Sequence, residues 1–215
     1  MNANTDLGLP AVVVLLTLAV GGCAGSSATN LYTLSAVGTA GTESRPPQAP
    51  PAVIAIGPVS LPDYLDRPQI VTRQSAYQLE LAANDRWAAP LYDMLPRVLV
   101  EDLALRLPSD RIVSFPEIGD ASFDYRVAVQ VSRFDVDAAG EAALATRWQL
   151  YAPSAPRALL VADDTLQRRV EGRGFDAYAA ALSAALADLG DRIARAVNST
   201  RASAARPLAS QSSRG

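Results

Sequence analysis

The sequence predicts an α+β fold: a mainly antiparallel sheet with two helices packed on one face, preceded by a cleavable N-terminal segment. Three observations predict it. Tyr125, Val127, Val129 and Val131 alternate with Arg126, Ala128, Gln130 and Ser132, the period of a strand with one buried face. Tyr178, Leu182, Ala185, Leu189, Ile193 and Ala196 recur at spacings of three and four, an apolar helical stripe. Strand-like runs also follow one another without a helix between each pair, which favours α+β over an alternating α/β order. The 215 residues are 49% hydrophobic and 19% charged, a globular composition with enough chain for one domain plus tails.

Leu31 to Leu34 is a short strand candidate. Ser35 to Pro51, rich in Gly, Thr, Ser and Pro, reads as a linker. Val53 to Val59 is apolar and β-branched, a buried strand. Ile70 to Thr72 and Tyr77 to Leu81 flank the turn Arg73 to Ala76, and Tyr77, Leu79 and Leu81 alternate with Gln78 and Glu80 as in a half-buried hairpin. Pro90 suits the first turn of a helix whose apolar positions run from Leu91 to about Leu107. Pro96 inside that span costs about 3 kcal/mol, so packing overrides it or the helix begins later.

A phase shift near Ser132-Arg133 predicts a bulge in the next strand. Asp137 to Gly140 turns the chain into a return strand through Ala142, Leu144, Thr146, Trp148 and Leu150. A third strand runs from Leu159 to about Val170. Asp176 is placed to cap the last helix, which should end near Asn198. Residues 199–215 are polar and small and read as a disordered tail.

Composition removes several function classes. The net charge of -3 gives no basic field for nucleic acid. The absence of His removes the commonest general base and metal ligand. A single Cys allows no internal disulfide and no cysteine-based zinc cluster. No cofactor is expected.

That Cys sits in a telling place. Leu7 to Val20 is an apolar run too short to span a bilayer comfortably but of signal-peptide length, and small residues follow at once. Val20-Gly21-Gly22-Cys23 resembles a lipobox, the processing site of bacterial lipoproteins. The resemblance implies a signal peptide over 1–22 and a diacylglycerol on Cys23, the lipid-attachment residue. Residues 1–6 lack the usual basic residues. The competing readings are an ordinary cleaved signal with an incidental Cys, or an uncleaved anchor. Residues 23–52 then form a tether with a short strand and a Pro-rich linker. Ala24 after the Cys implies sorting to the outer membrane, facing the periplasm.

The segments LPDYLDRPQIVTR (61–73) and NDRWAAPL (84–91), with the earlier Leu31-Tyr32-Thr33-Leu34, are similar to the ABC-type transport auxiliary lipoprotein family. The resemblance runs from about Leu31 to about Val197, with residues 53–198 as the auxiliary domain. It implies no catalytic centre and a place beside an MCE-domain protein and an ABC transporter or membrane permease. Such systems move lipids or other hydrophobic molecules between inner and outer membranes. Homo-oligomerisation is a further expectation.

Tyr64, Leu65, Asp66 and Arg67, in a Pro-bounded loop, and Trp87 are the candidate partner-binding residues, since Tyr, Trp and Arg dominate interface energetics. The competing reading makes the loop structural and Trp87 a core residue. Asp135 with Asp137, and Asp163 with Asp164, could be drawn as metal sites. Without His, and near turns, they read as solvated carboxylates, and no catalytic set is completed. Two other functions compete. A structural or assembly lipoprotein of another envelope complex would share the anchor but not the partner. A periplasmic hydrolase would need a base that the missing His withholds.

Overall fold

The computed structural model describes residues 28–38, 51–107, 110–115 and 123–212, with side chains as far as residue 204. The signal segment, Cys23 and residues 39–50 lie outside them. Eight strands form a single mixed sheet: β1 (Asn30–Tyr32), β2 (Val53–Ser60), β3 (Gln69–Arg73), β4 (Leu79–Trp87), β5 (Arg111–Ser114), β6 (Tyr125–Asp137), β7 (Glu141–Tyr151) and β8 (Leu160–Arg169). Helix α1 (Leu91–Arg106) packs over β2 and β5. Helix α2 (Gly174–Ser212) packs over β6, β7 and β8, and the two helices meet.

The expected mainly antiparallel sheet needs correction. β6–β7, β7–β8 and β3–β4 are antiparallel, but β1–β4, β2–β5, β2–β6 and β3–β6 are parallel. The long strand β6 is the cause. Its first half takes β2 on the edge away from β7, and its last residues take β3 on that same edge. Parallel neighbours require crossover connections, and β3, β4 and α1 form the one between β2 and β5. Ile54, Ala55 and Ile56 are fully buried in succession, the mark of a strand covered on both faces.

Helix α1 runs straight through Pro96 from its N-cap at Pro90. Leu91, Met94, Leu95, Val98, Leu99 and Leu103 are all buried on one side. Six such side chains, at about 1.5–3 kcal/mol each, outweigh one missing N–H. Gly190 of α2 lets the helices approach: a Cβ there would lie 3.4 Å from the Asp102 Cβ. The expected bulge is present, as the β6–β7 register shifts between Val131 and Arg133.

Three further boundaries differ from the sequence pattern. β4 continues through Asp85, Arg86 and Trp87, because β1 pairs with it there. Asp176 lies in the first turn of α2 rather than at its cap, still close to the positive end of the helix dipole. The helix passes Asn198 and reaches Ser212, into the segment read as disordered. Alanine is the best helix former, and Arg201, 5% exposed, ties this last stretch to the body. Its guanidinium donates to both Asp110 oxygens at 2.6 and 3.0 Å.

Candidate functional site

The loop between β2 and β3 contains a 3-10 turn, Asp63–Leu65, entered from Pro62. The Leu65 N–H donates to the Pro62 carbonyl at 2.9 Å and the Asp66 N–H to Asp63 at 3.1 Å. The Trp87 N–H donates to the Pro68 carbonyl at 2.7 Å, which brings the loop and the end of β4 together. Leu65 and Trp87 point into the core, at 2% and 5% exposure. Tyr64 and Arg67 are half-buried and Asp66 is exposed. The Nε atoms of Arg67 and Arg86 are buried without a hydrogen-bond partner. So the structure brings all five candidate residues into one region but leaves only Tyr64, Asp66 and Arg67 with accessible surface.

Beneath this loop sits a charged cluster that the sequence pattern did not suggest. Asp135, expected to be solvated, has 0% exposure. It points away from Phe134 and Val136, since successive strand residues face opposite sides. Arg73 donates to it from Nη2 at 2.8 Å and from Nε at 3.1 Å. The Arg133 Nε donates at 2.8 Å and the Tyr64 hydroxyl at 3.3 Å. A buried carboxylate survives only when paired and hydrogen-bonded, and here two guanidiniums meet that need. Burial, then the Asp135 charge, pushes the Tyr64 hydroxyl up from its ordinary value. Asp137 instead caps the β6–β7 turn, accepting from the N–H groups of Ala139 and Glu141 at 2.9 and 3.0 Å.

The other aspartate pair is also committed. Asp163 takes a two-pronged contact from Arg147 at 2.8 and 2.9 Å, which holds its carboxyl below the usual range. Asp164 accepts from the Trp148 indole at 2.8 Å and faces Arg192 at 3.1 Å. Among the described residues no group of three His, Cys, Asp or Glu side chains could hold a metal ion.

A second buried cluster joins the helices to the segment after β1. The Val37 N–H donates to the Asp102 Oδ1 at 3.0 Å, and the Val37 carbonyl accepts from Arg106 at 3.2 Å. Arg106 also bonds Asp102 at 3.1 Å and contacts Asp191. Burial pushes the Asp102 carboxyl up to about 6, against the Val37 N–H and the Arg106 charge, which favour the anion. The Asp102 Oδ2 is buried without a partner. Leu34, 1% exposed, packs below this segment. The residues just after β1 are therefore locked onto the helix pair.

The family model of the ABC-type transport auxiliary lipoprotein component matches residues 32–194. The chain belongs to this family. It is 30% identical over 118 residues to the intermembrane transport lipoprotein PqiC of Escherichia coli strain K12, and equally to that of Shigella flexneri. Each match covers 55% of this chain and 62% of the relative, so the chain spans somewhat under two thirds of these curated proteins. Two crystal structures share the fold. One, of an uncharacterised protein, has TM-score 0.66 at 23% identity, covering 79% of this chain and 99% of that one. The other, a Xanthomonas campestris protein, has TM-score 0.66 at 21% identity, with 81% and 99% covered. Among the described residues no helix is long and apolar enough to cross a membrane.

Proposed function

We propose that this chain is a non-enzymatic auxiliary lipoprotein of a system moving lipids or other hydrophobic molecules between the inner and outer membranes. It works beside an MCE-domain protein and that protein's ABC transporter or permease. The observation that carries this reading is the family match across residues 32–194, from β1 to deep within α2. The likeness to PqiC, an intermembrane transport lipoprotein, supports it over a more restricted length.

Acyl chains on Cys23 hold the domain on the outer membrane, facing the periplasm. Two or more chains anchor stably where one holds only marginally. The partner docks at the β2–β3 loop. Tyr64, Asp66 and Arg67 supply the contact, while Leu65 and Trp87 fix the loop from inside. A partner carboxylate could pair with the part of the Arg67 guanidinium that stays accessible, a contact suited to guanidinium.

Co-purification of the acylated protein with an MCE-domain protein from the same cell tests this. The expected result is a stable complex that weakens in an Asp66→Ala, Arg67→Ala double variant. No association between the two folded proteins would overturn the reading.

A further inference from the structure

The sequence pattern and the structure disagree about the β3–β4 hairpin, and the disagreement points to a surface. Tyr77, Leu79 and Leu81 carry the alternation of a buried face, yet they are 101%, 37% and 46% exposed. We propose that this hairpin tip is a membrane contact. Tyr77, Leu79 and Leu81 meet the same lipid surface that holds the acyl chains of Cys23. The inference rests on the anchor proposed above.

The direction of the tether carries the argument. β1 pairs parallel to β4, with Asn30 opposite Asp85 and Tyr32 opposite Trp87. Asp85 pins that register by accepting from the Asn30 amide at 2.8 Å and the Tyr32 hydroxyl at 2.9 Å. In a parallel pair, β1 is entered from the end where β4 begins. Chain upstream of Asn30 therefore comes from the side of the hairpin tip. Leu79 precedes Asp85 by six residues, about 20 Å of strand. Cys23 precedes Asn30 by seven residues, which reach at most about 25 Å. Seven extended residues are therefore long enough for a sulfur at position 23 to reach the level of Leu79, where the exposed tip stands.

The rest of that end is compatible with a lipid surface. Arg73 pairs with Asp137, and Glu141 with Arg169, so the base of the tip, the β6–β7 turn and the end of β8 share one level. Glu80, Arg169 and Arg173 are exposed there with mixed sign. Charge does not drive the contact; apolar side chains do. Tyrosine suits the polar–apolar boundary of a bilayer because its ring is apolar and its hydroxyl stays wet. The turn at 152–158 lies at the opposite end of the sheet, beyond β7 and before β8.

The test uses the full acylated protein in phosphatidylethanolamine–phosphatidylglycerol vesicles that carry doxyl-labelled lipid. Ala76→Cys places a fluorophore beside Tyr77, and Ser154→Cys places one at the far end. With the Cys23 sulfur blocked, each variant takes one label. The expected result is strong quenching at 76 and none at 154, lost when Tyr77→Ser and Leu79→Ser are added. Equal exposure of both probes in a singly labelled protein overturns the membrane contact and leaves the anchor standing. Uptake of two labels shows a bare Cys23 and removes both. Shielding of 76 that appears only on adding a partner protein assigns the face to that protein and overturns the lipid contact.

Discussion

The two hairpins β3–β4 and β6–β7 have the same alternating sequence signature and opposite fates. In β6, Val127, Val129 and Val131 are 0%, 3% and 4% exposed, because α1 and α2 cover the sheet. In the β3–β4 tip, Tyr77, Leu79 and Leu81 stand outside any such cover. Period two establishes that a strand has an apolar face. It does not establish whether the same chain, a partner or a membrane covers that face.

Substitutions in the covered hairpin should hurt most. Phe134→Ala, which empties a fully buried ring site on β6, should cost about 3–5 kcal/mol in urea unfolding. Asp135→Ala should cost about 3 kcal/mol, at the low end for a broken buried pair, since Arg73 and Arg133 keep some contact with water.

A smaller effect separates the helix junction from the sheet. Asp102 has its folded pKa raised from 3.8 to about 6, so its neutral form is favoured in the native state. Its contribution is fully present below about pH 4 and is lost as pH rises through 6. Over that window the wild type should lose up to about 3 kcal/mol relative to Asp102→Asn, read from paired unfolding curves at pH 4 and pH 7. A constant difference would show that Asp102 stays ionised throughout.

Smallest of all, Leu79→Ser with Leu81→Ser should change stability in solution by no more than about 0.5 kcal/mol, because both side chains lie at the surface. A large loss would mean that the tip is covered after all, and the contrast between the hairpins would fail.

Much of this architecture is legible in the sequence. The helical stripe of α2, the bulge at Ser132-Arg133, the turn at Asp137 and the β7 and β8 returns follow from periodicity and turn chemistry. Strand direction does not follow, since alternation is the same in parallel and antiparallel neighbours. One hint was available: Val53-Ile54-Ala55-Ile56 is a continuous apolar run, which suits a strand buried on both faces. β5 is only four residues long and carries no clear period. The reach of α2 to Ser212 depends on Arg201 finding Asp110, a partner ninety-one residues distant. The candidate loop was legible as a unit. The burial of Asp135 beneath it was not, because that depends on Arg73 of β3 and Tyr64 of the β2–β3 loop, each more than sixty residues distant, arriving beside β6. For the same reason, the inward turn of Leu65 and Trp87 shows only in three dimensions.

The proposed role of the folded domain at a membrane depends on acylation of Cys23. Intact mass and N-terminal analysis of the protein extracted from the cell envelope test it most directly. The expected result is a mature chain that begins at Cys23 and carries diacylglycerol on its sulfur. A mature chain that begins elsewhere, or one whose sulfur is unmodified, would contradict it.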